Sequence, residues 1–91
     1  MNAEITLQLI GKPGCHLCDD AKSAVDRVLF GFRAAHSEVK LTLAEVSIVD
    51  DAELAKEYAE QIPVLLINNR VHNYWRIDET RLRNALDELA D

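Results

Sequence analysis

Between Ile5 and Ile10 the chain alternates, with Ile5, Leu7 and Leu9 on one face and Thr6, Gln8 and Ile10 on the other, the two-residue period of a strand. Gly11, Lys12, Pro13 and Gly14 break that period. Leu17, Ala21, Ala24, Val25, Val28, Leu29 and Phe32 then recur at helical spacing, which predicts a long helix starting near Cys15. Its polar face carries Asp19, Asp20, Lys22, Ser23, Asp26, Arg27 and Arg33. Gly31 weakens the last turns by about 1 kcal/mol against alanine, so the helix is expected to fray or end there. The β-rich run VKLTLAEVSIV predicts a second strand, its sheet-forming part Leu41 to Ile48, with a bulge at Ala44 and Glu45 where alternation is disturbed.

Asp50 or Asp51 is placed to cap a second helix reaching about Gln61, with Leu54, Tyr58 and Ala55 on its buried side. Pro63 stops it, and Val64 to Ile67 reads as a short buried strand. Asn68-Asn69 suits a tight turn, because asparagine tolerates positive φ, and Arg70 to Tyr74 pairs back as a fourth strand. Asp78 caps a final helix, Ile77 staples it, and Leu82, Ala85, Leu86 and Leu89 form its apolar stripe. The order βαβαββα predicts an α/β fold, a four-stranded mixed sheet flanked by three helices, in a single domain over residues 1–91.

Composition narrows the function. With 48% apolar and 29% charged residues the chain is an ordinary globular domain. A formal net charge of -6, with no dense run of Lys and Arg, argues against nucleic acid or anionic lipid as partners. No apolar stretch approaches the ~20 residues of a membrane helix, and the first residues show no basic and apolar export pattern, so a cytoplasmic location is expected.

The only two cysteines, Cys15 and Cys18, are too close to close a stabilising loop. They stand after a strand and a Gly/Pro turn, at the first turn of a helix, where unpaired amides favour an anion; a thiolate at Cys15 gains from this. Cys18 lies one turn on, on the same face, able to attack a mixed disulfide formed on Cys15. Cys15 is therefore expected to be the more exposed and more acidic thiol, the nucleophile, and Cys18 the resolving thiol. Lys12 adds an ammonium near the thiolate and near a substrate carboxylate, while Asp19 and Asp20 oppose it. His16 is read as tuning the pair or merely exposed. The alternatives are incidental cysteines or half of a zinc site, for which only His16, His36 and His72 are at hand. Pro63 stands directly before a core strand, where a trans bond would lead the chain away from the sheet.

Lys12-Pro13-Gly14-Cys15-His16-Leu17-Cys18, the stretch Glu45 to Asp51, and Ile62-Pro63-Val64-Leu65-Leu66-Ile67-Asn68 together resemble a glutaredoxin-like protein of the thioredoxin superfamily. The resemblance implies that Pro63 is cis and packs beside Cys15, that the Ile62 backbone pairs with an extended substrate, and that Lys12 helps hold glutathione. Glutaredoxins usually carry a Gly-Gly and then an acidic residue after the hairpin. This chain has Val71-His72-Asn73-Tyr74-Trp75-Arg76-Ile77-Asp78 instead, and Tyr74 and Trp75 crowd a backbone that glycine leaves open. Trp75 is read as packing. Weak or no glutathione specificity is expected.

The sequence thus predicts a monomeric dithiol-disulfide oxidoreductase, with Cys15 and Cys18 catalytic and Lys12, Ile62 and Pro63 binding substrate. It would act on a disulfide-containing protein or small thiol substrate, with no metal or organic cofactor, and draw electrons from thioredoxin reductase or glutathione. The alternatives are a non-catalytic redox-sensing or protein-binding module of the same fold, and cluster or metal carriage through Cys15 across a dimer.

Overall fold

A computed structural model describes residues 3–90. The elements run β1 (Glu4–Gly11), α1 (His16–Ala35), β2 (Lys40–Ser47), α2 (Ala52–Tyr58), β3 (Val64–Ile67), β4 (Arg70–Tyr74) and α3 (Glu79–Ala90). The sheet order is β2-β1-β3-β4, with β1 parallel to β2 and antiparallel to β3, and β3 antiparallel to β4.

Two cores of unequal size hold the layers. Ile5, Leu7 and Leu9 of β1 and Leu65 and Ile67 of β3 face α1 and α3, meeting Val25, Leu29, Phe32, Leu82 and Leu86. The opposite face buries only Ile10, Tyr58, Val64 and Leu66, with Val46, Ile48, Leu54 and Ile62 packed around them. All four residues of β3 are buried because that strand is central and covered on both sides. α2 spans seven residues and covers one end of its face, which leaves Thr6 exposed at the other end.

The helix ends follow local chemistry. Asp51 Oδ1 accepts the amides of Glu53 and Leu54 at 3.0 and 3.2 Å, and Asp78 Oδ1 accepts that of Arg81 at 3.0 Å. Ile77 packs on the same core as Leu82.

Several expectations are corrected. α1 runs unbroken through Gly31 to Ala35, because Leu29 and Phe32 on either side are anchored in the larger core. α2 stops at Tyr58, where the Gln61 amide bonds the Tyr58 carbonyl at 2.8 Å and turns the chain toward Pro63. No bulge occurs at Ala44 and Glu45: β1 and β2 pair continuously from Glu4 with Lys40 to Gly11 with Ser47. Both residues are exposed on an edge strand, so broken alternation there breaks no packing. The irregularity lies between β3 and β4, where Leu65 pairs with Asn73 but Leu66 with Val71, leaving His72 as the extra residue. Leu17 and Leu89, assigned to apolar stripes, are 39% and 40% exposed: Leu17 precedes Ala21, the first core residue of α1, and in the last turn of α3 it is Ala90 that packs on the core.

Candidate functional site

The turn after β1 carries the chain from the sheet into α1. Gly14 sits at φ 73°, the left-handed region that glycine enters without a Cβ clash, and Cys15 follows as the N-cap of α1 in an extended conformation. Its Sγ accepts the Cys18 amide at 3.2 Å, the role a serine or aspartate oxygen plays at other helix starts. The Asp19 amide bonds the Cys15 carbonyl at 3.0 Å and begins the helical ladder. His16 is exposed.

Both thiols are free and half-buried, so exposure does not separate them as the helix-start position predicts. Protonation does. Burial, and then the hydrogen bond to Cys15, push the Cys18 thiol up to about 11, with the charges of Cys15 and Asp19 adding to the effect and the Lys12 backbone amide opposing it. Cys18 thus holds its proton while its amide donates to the Cys15 sulfur.

The remaining sequence-chosen residues are Lys12, Ile62 and Pro63. Lys12 is exposed and lines a cleft of about 240 Å³ with Cys18, Gly11, Lys22 and Glu45, on the Cys18 side. Ile62 is half-buried against the smaller core, and the Ile62–Pro63 peptide is cis with Pro63 fully buried. The Pro63 carbonyl accepts the Trp75 amide at 2.7 Å.

Trp75 was read as packing, and it is anchored: its Nε1 donates to the Glu60 carbonyl at 3.3 Å, and its ring lies 6.0 Å from that of Tyr74. Its backbone adopts φ 60°, uncommon for a bulky residue, and 52% of it remains exposed. With Leu17, Arg76 and Ile77 it lines a second cleft of about 210 Å³, against the first turns of α1. Sequence reasoning missed Gly11, where a Cβ would stand 2.9 Å from the Cys18 sulfur. The available signal was its register, two residues beyond Leu9 and so on the face toward α1.

A parallel-antiparallel four-stranded sheet with a Cys-x-x-Cys pair at the start of its first helix and a cis-proline strand entry defines the thioredoxin-like class. Within it, residues 6–87 match the family described as Glutaredoxin-like domain (DUF836), and the chain belongs to that family. It is 33% identical to a structural-genomics target protein from X. campestris, with a TM-score of 0.68 over 90% of this chain and 96% of that one. An uncharacterized protein of Mycobacterium tuberculosis is 27% identical over 82 residues, 85% of this chain and 77% of the relative. A thioredoxin from Halobacterium salinarum shares the fold at 15% identity and a TM-score of 0.65, over 99% of this chain and 77% of that one.

Proposed function

We propose that this protein is a dithiol-disulfide oxidoreductase in which Cys15 is the nucleophile and Cys18 the resolving thiol. The observation that carries the reading is the asymmetry of the pair: Cys15 caps α1 and receives the Cys18 amide at 3.2 Å, while Cys18 is held as a thiol.

Cys15, as thiolate, attacks one sulfur of a substrate disulfide; the other sulfur leaves as a thiolate and takes up a proton. The substrate half that remains is bound to Cys15 as a mixed disulfide. Cys18 then gives up its proton and attacks Cys15 Sγ, which forms the Cys15–Cys18 disulfide and releases the second substrate thiol. Two electrons pass from the pair to the substrate. An external donor, either the dithiol of thioredoxin reductase or two glutathione thiols that leave as their disulfide, returns the pair to the reduced form in the cytoplasm.

Ile62 and Pro63 supply the backbone edge beside the pair for an extended substrate, and Lys12 a cation for a substrate carboxylate. An exposed ion pair of this kind contributes only ~0–1 kcal/mol, so Lys12 alone does not confer glutathione specificity. Trp75 and Arg76 occupy the stretch after the hairpin where the family resemblance places an open glycine backbone, which supports a protein disulfide over glutathione as substrate.

The test is steady-state reduction of a protein disulfide with a dithiol donor. Cys15→Ser is expected to abolish turnover, and Cys18→Ser to accumulate a mixed disulfide on Cys15 visible by intact mass. Turnover by Cys18→Ser at the parent rate would remove the two-cysteine mechanism. A parent that closes its disulfide without turning over would instead be a redox-sensing module.

A further inference from the structure

The strand leading into the cysteine turn ends in a residue that the exchange scheme leaves unused. Gly11 is the last residue of β1, in register with Ser47, and its carbonyl accepts the Ile48 amide at 2.9 Å, so its backbone is fixed by the sheet. Leu7 and Leu9 point into the core shared with α1, and strand alternation sends position 11 the same way, toward the first turn of that helix. A methyl group at position 11 would stand 2.9 Å from Cys18 Sγ and 3.2 Å from Cys18 Cβ. Non-bonded heavy atoms of this kind settle at about 3.5–4.0 Å, so the methyl and the sulfur compete for one space. Among the described residues, and apart from its chain neighbours, Cys18 alone comes within 4 Å of that methyl; the Cys15 sulfur does not.

We infer that Gly11 is the positioning residue of the resolving thiol: lacking a side chain, it lets the Cys18 sulfur seat against the end of β1, in line to attack a mixed disulfide on Cys15. The inference rests on the dithiol reading above. The strand end has little room to yield, because Gly11 is paired with Ser47 of β2 and Ile10 before it is paired on both sides, with Val46 and Val64. The sulfur has only one torsion with which to escape, and turning it carries the thiol away from Cys15 and from the Lys12 amide that lies against it. A side chain at position 11 therefore separates the two half-reactions. Attack by Cys15 on substrate is untouched, and attack by Cys18 on the mixed disulfide is impaired.

The experiment uses the reduced full-length chain and a symmetric aromatic disulfide whose thiolate absorbs visible light. Attack by Cys15 releases one thiolate; closure of the Cys15–Cys18 disulfide releases the other, so the half-reactions appear as separate phases. For Gly11→Ala the first phase is expected to stay within about twofold of the parent and the second to slow about tenfold, the effect of forcing a side chain off its preferred rotamer. A second phase as fast as the parent's, or an equal loss in both phases, overturns the positioning role. A parent that releases only the first thiolate removes the dithiol reading and this inference with it, an outcome distinct from the other two.

A stability cycle covers the case in which Gly11→Ala folds poorly. Gly11→Ala is expected to destabilise the parent more than it destabilises Cys18→Ala, because the second background lacks the sulfur. Equal destabilisation in both backgrounds overturns the inference.

Discussion

The cysteine turn, residues 11–18, and the β4 strand with its exit to α3, residues 70–78, lie at opposite extremes in how their shape is held. In the first, the bonds that set the geometry are local: Cys15 Sγ to the Cys18 amide, the Cys15 carbonyl to the Asp19 amide, and a glycine at positive φ one residue before the cap. In the second, the hairpin pairing with β3 and the Asp78 cap are joined by bonds from further along the chain. Arg81 Nη1 donates to the His72 carbonyl at 2.8 Å, and Trp75 reaches Pro63 through its amide and Glu60 through its indole. In the first region the distant contribution enters at its start, where Gly11 pairs with Ser47 and its carbonyl accepts the Ile48 amide. The second exists only in the folded state and carries the irregularities, the extra residue His72 and the left-handed backbone of Trp75.

The largest expected effect sharpens the contrast inside the cysteine turn. Raising a thiol from 9.0 to about 11 lowers its thiolate fraction near neutral pH about a hundredfold, and the thiolate is the alkylated species. Iodoacetamide at pH 8, followed by peptide mapping, is therefore expected to label Cys15 first, with Cys18 reacting as the pH climbs toward 11. Preferential labelling of Cys18 would reverse the assignment of roles.

A smaller effect probes the second region. At ordinary positions glycine is less stabilising than alanine, but at φ 60° a Cβ is strained and glycine is not. Trp75→Gly and Trp75→Ala both lose the indole bond and the packing on Tyr74. Thermal or denaturant unfolding should nevertheless find the glycine variant more stable by about 1 kcal/mol. The usual order, alanine above glycine, would show that Trp75 leaves the left-handed region in solution.

The smallest effect lies at the extra residue of β4. Burial first, and then the Arg81 charge, hold the His72 imidazole below its ordinary value of 6.5, and its Nε2 is buried with no partner among the described residues. Below about pH 6.5 the unfolded chain takes up a proton there that the folded chain resists, so stability rises with pH through this window and is lost on acidification. Denaturation midpoints are expected to fall more between pH 7 and pH 5 for the parent than for His72→Gln. Parallel curves would mean that His72 is solvated in the native state.

The same division decides what could be read from residues alone. The alternation of Ile5, Leu7 and Leu9, the Gly11-Lys12-Pro13-Gly14 break and the long apolar stripe of α1 each follow from local spacing, and they placed the cysteine pair at a helix start. Asp51 and Asp78 were legible as caps for the same reason: a carboxylate reaches amides two and three residues on. Periodicity did not reveal where the core begins on α1 or which residue of the last turn of α3 meets it, so Leu17 and Leu89 were assigned to stripes whose core contacts fall at Ala21 and Ala90. Nor did broken alternation locate the bulge, because Ala44 and Glu45 on an edge strand face nothing that would register the break.

What the sequence determined by itself is thus the order of elements, the helix that begins at Cys15 and the thiol spacing of one turn, all consequences of interactions across a few residues. The helix start already pointed to Cys15 as the more acidic thiol; tertiary structure alone decided the burial that raises Cys18 and what fills the space beside its sulfur. Burial of Cys18 requires the end of β1 to lie across its helix turn, and that approach is possible only where position 11 has no side chain. It also decided the course of β4, since the bonds that hold His72 and Trp75 come from residues that the fold, and not the chain, makes their neighbours.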